Sequence, residues 1–423
     1  MFKAYPRHSV NLSWAAFREI LKKTLLGQIV EGPEQKIFEE EFARYMGVKH
    51  AIGVFGGRAG LFLALKSLEL EQGDEVIMPA YTFHIVPLVV EACGLKPIFV
   101  DVRPDTYNLD CSLVEPRITP RTRAILVAHF YGQAAEMEPL LKIAEKHKLR
   151  VIEDCAHACG GEYRGKKLGS LGDVGVFSFA LAKNMPCFGG GMITTNDDVL
   201  ARKIRDLMDS LLAGAPSPQA LLWKNVMRTS FSYFCTRPLV FSLFIYPMMR
   251  VLAAFKSSAP LDTEPGTEII SEQEKTVSLL YRLTNLQSAV GLHQLSRLDA
   301  LNEKARVNAS IYNRELQGLP WAQLPVNLPE SKHCYLYYRI QVDKREDFRR
   351  ELLKRGIDTA PDDMSDCTQL SLFKDQAGSC PVAQKLPLRI VEIPNNQDLT
   401  EKDLFRVTRM IRQCDLTPQI RKY

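Results

Sequence analysis

Up to about Asp197 the chain alternates short apolar, β-branched runs with amphipathic stretches. The runs are His50–Phe55, Glu75–Pro79, Pro97–Val102, Ala124–Phe130, Arg150–Glu153, Val174–Phe179 and Met192–Thr195. Ala59–Leu70, His84–Cys93 and Pro139–Lys148 between them carry helical periodicity. Strands that are apolar throughout, rather than alternating, belong to a sheet buried on both faces, which is the habit of parallel strands joined by helices. The pattern predicts an α/β fold whose large domain is built on a mainly parallel seven-stranded sheet.

After Lys203 the pattern changes. From Ser210 to Leu261 there is no Asp or Glu, while Lys224, Arg228, Arg237, Arg250 and Lys256 supply positive charge. Inside that stretch Pro238–Met249 is uncharged and rich in Phe, Leu, Ile and Met. A helical pattern resumes around Glu272 and runs through Leu286–Leu316. Then follow a strand (Cys334–Val342), a helix (Lys344–Arg355), a strand (Arg389–Ile393) and a helix (Thr400–Gln413), which read as a smaller α+β domain. The expected division is an N-terminal arm over 1–26, a large domain over 27–297 with the insertion at 210–261, and a small C-terminal domain over 298–423.

Composition narrows the function classes. The 423 residues are 46% hydrophobic and 24% charged, which excludes a disordered chain or a multi-span membrane protein. A net charge of +5 without a clustered basic run gives no footprint for nucleic acid. Ten cysteines without CxxC pairs argue against a zinc site. Met1–Lys22 has polar residues throughout and no apolar core, so a cytoplasmic location is expected.

Four elements bear on chemistry. Phe55-Gly56-Gly57-Arg58-Ala59-Gly60 joins a strand to a helix, and a helix N-terminus opened by glycines is suited to an anion. Taken alone such a sequence is more often just a turn. Val151-Ile152-Glu153-Asp154 puts an acid at the end of a buried strand, where α/β sheets bind ligands, although Asp is also a common helix cap. Lys183 follows Phe177-Ser178-Phe179 and precedes Gly189-Gly190-Gly191, a setting for a Schiff-base amine or for an ordinary surface lysine. Phe83 comes just past another strand and offers an aromatic face or merely core. Together they are the parts needed to hold pyridoxal 5′-phosphate (PLP), whose ring takes electrons from a substrate carbanion.

In these residues, and in Gly73–Ile77, Phe99–Val102, Thr119–Ile125, His129–Gln133, Gly169–Phe179 and Tyr281–Ala289, the chain resembles the DegT/StrS-like sugar aminotransferases. The resemblance runs from about Gly27 to about Arg412 and implies a fold-type I PLP enzyme. It implies Lys183 as the lysine bonded to the cofactor, Asp154 as partner of the pyridine nitrogen, and His157 at the ring hydroxyl. Phe83 then stacks on the ring, and Ser178, Gly57 and Arg58 form the phosphate site. It further implies a homodimer with active sites between subunits, an amino donor such as glutamate or glutamine, and a keto-sugar acceptor. Some relatives carry His at the lysine position and become dehydratases, so Lys183 favours transamination over a PLP dehydratase. A regulatory PLP-binding protein, the alternative from another class, would be marked by a cofactor spectrum that amino donors leave unchanged.

Several positions depart from the family's pattern. Arg58 stands at a common Thr, Gly190 at a common acid, Leu280 at an Asn that reaches a neighbour's phosphate, and Asp362-Asp363 at a frequent His-Tyr pair. Arg58 is expected to compensate for the missing Asn. The acid-free insertion is too short to cross a bilayer and is interrupted by Arg237, Pro238 and Pro247. It fits an interfacial segment on an anionic leaflet, or a flap that packs on a dimer partner or covers the active site. Membrane contact would suit a lipid-linked acceptor.

Overall fold

The computed structural model describes residues 3–214, 217–255, 281–374 and 378–414. Seven strands form its main sheet: β1 (His50–Val54), β2 (Glu75–Pro79), β3 (Lys96–Val100), β4 (Thr122–Ala128), β5 (Arg150–Asp154), β6 (Val174–Ser178) and β7 (Gly191–Thr195). Their order across the sheet is β1-β7-β6-β5-β4-β2-β3. Pairings among β2 to β6 are parallel, and β7 alone runs against its two neighbours. Strands β2 and β7 are buried along their whole length and β4 at every position but Arg123, as expected where helices cover both faces.

Crossover helices begin and end on local signals. Glu34–Met46 stops at Gly47, which takes a left-handed φ of 69°. Asp197 caps Asp198–Leu212 by accepting the backbone N–H groups of Val199 and Leu200. The Tyr281–Ala289 motif has a structural task. Thr284 and Gln287 form a capping box that starts a single helix of 32 residues, Asn285–Leu316, which passes through position 297 without a break. Asn285 donates to the Gln28 carbonyl at 2.9 Å and accepts from the Glu34 N–H at 2.9 Å. The helical pattern around Glu272 lies outside the described residues.

A second apolar cluster gathers around a four-stranded antiparallel sheet that contains Tyr338–Val342 and Ile390–Ile393. Arg345–Lys354 and Glu401–Arg412 pack with it, close to the expected C-terminal helices. Asp101 at the end of β3 accepts the N–H groups of Val382 and Ala383, each at 2.9 Å, fixing the start of Pro381–Arg389.

The insertion is helical: Gln219–Cys235, Pro238–Val240, a π-helical turn at Phe241–Ile245, and Tyr246–Phe255. Pro247 does not end the run. It lies just past the π turn, whose wider ring absorbs the missing N–H and the bulk of the proline. One side of this segment is tied down. Arg237 donates to Ser9 and to the Val10 carbonyl, pairs with Asp398 at 3.3 Å and lies 4.2 Å over the Tyr233 ring. The Tyr246 hydroxyl donates to the Leu353 carbonyl at 2.9 Å.

Candidate active site

Because β2, β4, β5 and β6 are parallel, their C-terminal ends open on one edge, and the reversed β7 begins there. A cavity of about 540 Å³ lies on that edge. Gly57, Arg58, Phe83, Asp154, His157, Ser178 and Lys183, which the sequence singled out, all line it. They come from the start of the Gly57–Ser67 helix, the segment after β2, the ends of β5 and β6, and the loop between β6 and β7.

The Gly57 turn packs against the end of β6. A Cβ on Gly57 would lie 3.1 Å from the Ser178 Cβ, tighter than ordinary packing, so the turn needs glycine to sit beside that hydroxyl. Helix N-terminus, Ser178 and Arg58 thus share one corner with unfilled backbone N–H groups and a positive dipole. The return from Lys183 to β7 passes through Phe188, Gly189 and Gly190, all with positive φ. A side chain on Gly190 would run into Leu283, which is why the acid common at this position has no room here.

Asp154 accepts the Ala156 N–H at 3.0 Å. Burial raises its pKa above the ordinary carboxylate value, with the Ala156 N–H and the Lys183 charge pulling the other way. A desolvated carboxylate of this kind is relieved by a cation in the cavity, and a protonated pyridine nitrogen is such a cation. His157 is buried, stacked on Tyr131 at 5.8 Å and edge-on to Tyr337 at 5.7 Å. Burial, aided by the Lys183 charge, drops its pKa well below the usual value, so the imidazole is neutral. The Lys183 ammonium is also lowered by burial, while the carboxylates of Asp363 and Asp154 oppose that shift. Phe83 is 40% exposed at the rim. Anion corner, desolvated acid, neutral imidazole, amine and open aromatic face fit PLP in size and charge.

One residue before Asp154, Glu153 organises the floor. Fully buried, it accepts the N–H groups of Gly169, Leu171 and Gly172 at 2.9, 2.8 and 2.7 Å and contacts His129 Nε2 at 3.0 Å. Because the Ala135 N–H donates to His129 Nδ1, the proton is on Nε2. His129, Glu153 and Cys155 bring ligand-type atoms within 4.8 Å of one another, but these hydrogen bonds already use the histidine and the carboxylate. All ten cysteines are free thiols.

The two acids at Asp362-Asp363 separate in role. Asp362 turns away from the cavity and accepts from Tyr81, Tyr131 and Arg339. Asp363 lines the cavity and accepts from Arg339 at 2.8 Å. Burial works against its ionisation, but the Arg339 guanidinium prevails and holds the carboxyl down to about 2. Leu280 lies outside the described residues.

Sequence reasoning omits Asn225, Arg228 and Thr229, which the insertion helix Gln219–Cys235 contributes to the cavity wall. A signal exists: Leu222, Val226, Thr229 and Tyr233 recur at helical spacing and are buried, so Asn225 and Arg228 flank the inward face. Composition drew attention to that segment's charge and away from its periodicity.

Comparison with known proteins fits this geometry. Residues 12–219 and 262–412 match the DegT/DnrJ/EryC1/StrS aminotransferase family, leaving 220–261 unmatched. The dTDP-3-amino-3,4,6-trideoxy-alpha-D-glucose transaminase of Streptomyces venezuelae is 32% identical over 92% of this chain and 88% of its own length. GDP-perosamine synthase of Caulobacter vibrioides is 33% identical over 89% and 88% respectively. The crystal structure of S. venezuelae DesV shares 30% identity and a TM-score of 0.75, covering 97% of this chain and 98% of that one. The chain belongs to the DegT/DnrJ/EryC1/StrS aminotransferase family, and it is a PLP-dependent transaminase.

Proposed function

We propose that the enzyme moves an amino group from glutamate or glutamine to a ketone on a carrier-linked sugar in the assembly of a cell-surface polysaccharide or glycolipid. The observation that carries this is the single cavity shared by Lys183, Asp154, His157, Phe83, Ser178, Gly57 and Arg58. The dTDP- and GDP-sugar relatives support the sugar as acceptor.

In this reading PLP, when bound, supplies an electron sink that makes a proton on the amino acid's α carbon removable. The neutral form of Lys183 accepts that proton at Nζ and returns one to the acceptor side, and the lowered ammonium pKa increases the neutral fraction. Asp154, a buried carboxylate, would keep the pyridine nitrogen protonated. Neutral His157 would hold the ring hydroxyl, and Phe83 would stack on the ring. The Gly57 turn, Ser178 and Arg58 anchor the phosphate.

The same reading includes a homodimer, an arm at 1–26, a large domain at 27–297 and a small one at 298–423. It also includes cytoplasmic location with contact to the inner membrane face. Among the described residues no helix is long and apolar enough to cross a membrane. Support for contact comes from the outer side of the insertion, where Met227, Phe231 and Phe244 are 66, 71 and 68% exposed beside basic residues without any acid.

The test is purified protein with PLP: a yellow holoenzyme that bleaches on glutamate and releases a 2-oxo acid is expected. Colourless protein that stays so after incubation with PLP overturns the proposal.

A further inference from the structure

The Gln219–Cys235 helix lies in the stretch that the family match omits, yet Asn225, Arg228 and Thr229 from it line the same cavity as Lys183. Arg228 is exposed, so its guanidinium is open to solvent on the cavity wall. No acid occurs from Ser210 to Leu261, and among the described residues Arg228 has no salt bridge. Its charge is therefore not compensated by its own segment.

The cofactor does not account for it. The PLP phosphate is assigned to the helix that starts at Gly57, to Ser178 and to Arg58, and Lys183 to the aldehyde. Asn225 reaches the glycine return: its side-chain amide nitrogen lies 3.1 Å from where a Cβ of Gly189 would be, so the missing side chain leaves the amide room. An arginine and an amide on one helical face, spaced three residues apart, form a donor pair for phosphoryl oxygens.

We infer that Arg228 and Asn225 form the binding site for the phosphate of the acceptor's carrier, and that the insertion helix supplies it within the same chain. The inference rests on the aminotransferase reading above and adds where the carrier is held. A sugar ketone at Lys183 places its phosphate link toward the cavity mouth, where Arg228 stands. Nucleoside diphosphates and prenyl diphosphates share this chemistry. Met227 and Phe231, adjacent on the same helix and exposed, give an alkyl chain a surface to follow.

Calorimetric titration of the PLP-loaded enzyme with inorganic diphosphate, uridine diphosphate and farnesyl diphosphate tests the site. The binding of whichever probe the wild type takes up is expected to weaken at least about tenfold in Arg228→Ala and to recover in part in Arg228→Lys. Lys224→Ala, a solvent-facing change on the same helix, keeps wild-type binding. Uptake of the uridine probe alone identifies a nucleotide carrier, of the farnesyl probe alone a lipid carrier, and of all three a site for the diphosphate itself. Failure of the wild type to bind any probe, equal binding by Arg228→Ala, or release of PLP by that variant overturns the inference. Wild type that takes up PLP and deaminates glutamate while Arg228 proves indifferent leaves the aminotransferase reading intact. Wild type that takes up no PLP removes both.

Discussion

The guanidinium of Arg339 holds the carboxylate of Asp363 at 2.8 Å, and that carboxylate is the largest opposing influence on the buried Lys183 amine. Only the neutral amine condenses with an aldehyde, so cofactor uptake by the apoenzyme should speed up as pH rises toward the Lys183 pKa. It should then level off below 10.5, the ordinary lysine value. Asp363→Asn removes a negative charge that favours the ammonium, so the pKa falls further and the plateau moves to lower pH. Stopped-flow absorbance across a pH series measures this, and a shift to higher pH would refute the assignment.

Asp154 is expected to matter for rate more than for retention. Asp154→Asn keeps the size of the group but gives up its charge, and kcat for 2-oxo acid release from glutamate should fall by about a thousandfold or more. PLP should still be retained through the phosphate corner. A kcat within a few-fold of wild type would remove Asp154 from the site.

The phosphate corner makes its own prediction. Arg58→Ala should weaken PLP retention during dialysis by about tenfold, since one charge-assisted contact to a phosphate is lost. Retention equal to wild type would show that the helix N-terminus and Ser178 suffice.

Glu153 is a structural acid next to Asp154, which faces the cavity. Glu153→Gln turns an amide toward N–H donors that now have no acceptor, and should cost about 3 kcal/mol of stability. A urea titration of the apoenzyme reads this as a lower midpoint with an unchanged slope. An unchanged midpoint would mean that the loop at Gly169–Gly172 holds its form without the carboxylate.

The exposed side of the insertion predicts lipid contact. Full-length protein should float with anionic liposomes, and the double variant Phe231→Asp, Phe244→Asp should stay in the soluble fraction as a dimer. Loss of the dimer with no change in flotation would assign that face to the subunit interface.

Much of the site was legible because parallel strands report their C-terminal ends plainly. Asp154, Ser178 and Lys183 each follow an apolar run, and topology then brings them to one edge. The reversed direction of β7 was not legible, since an apolar strand carries the same pattern either way. Nor was the wall made by Asn225 and Arg228, because two polar residues beside a buried helical stripe look like any solvated flank. Asp362 and Asp363 are neighbours with opposite outlooks: Asp362 is taken up by Tyr81, Tyr131 and Arg339, and only Asp363 reaches the cavity.

The Asn285–Leu316 helix is a rod of about 48 Å at the usual rise per residue. Its first turn is bolted to Gln28, Glu34 and, through Gln287, to the Phe188 carbonyl. Its far end is bolted beside the small sheet, where Asn308 and Tyr312 donate to the carbonyls of Asn396 and Pro394. An unbroken rod cannot swivel in the middle, so any rocking of the C-terminal lobe arrives as torque on the Phe188–Gly190 return, within a few residues of Lys183. The small sheet and the glycine return are in that sense geared to a single shaft.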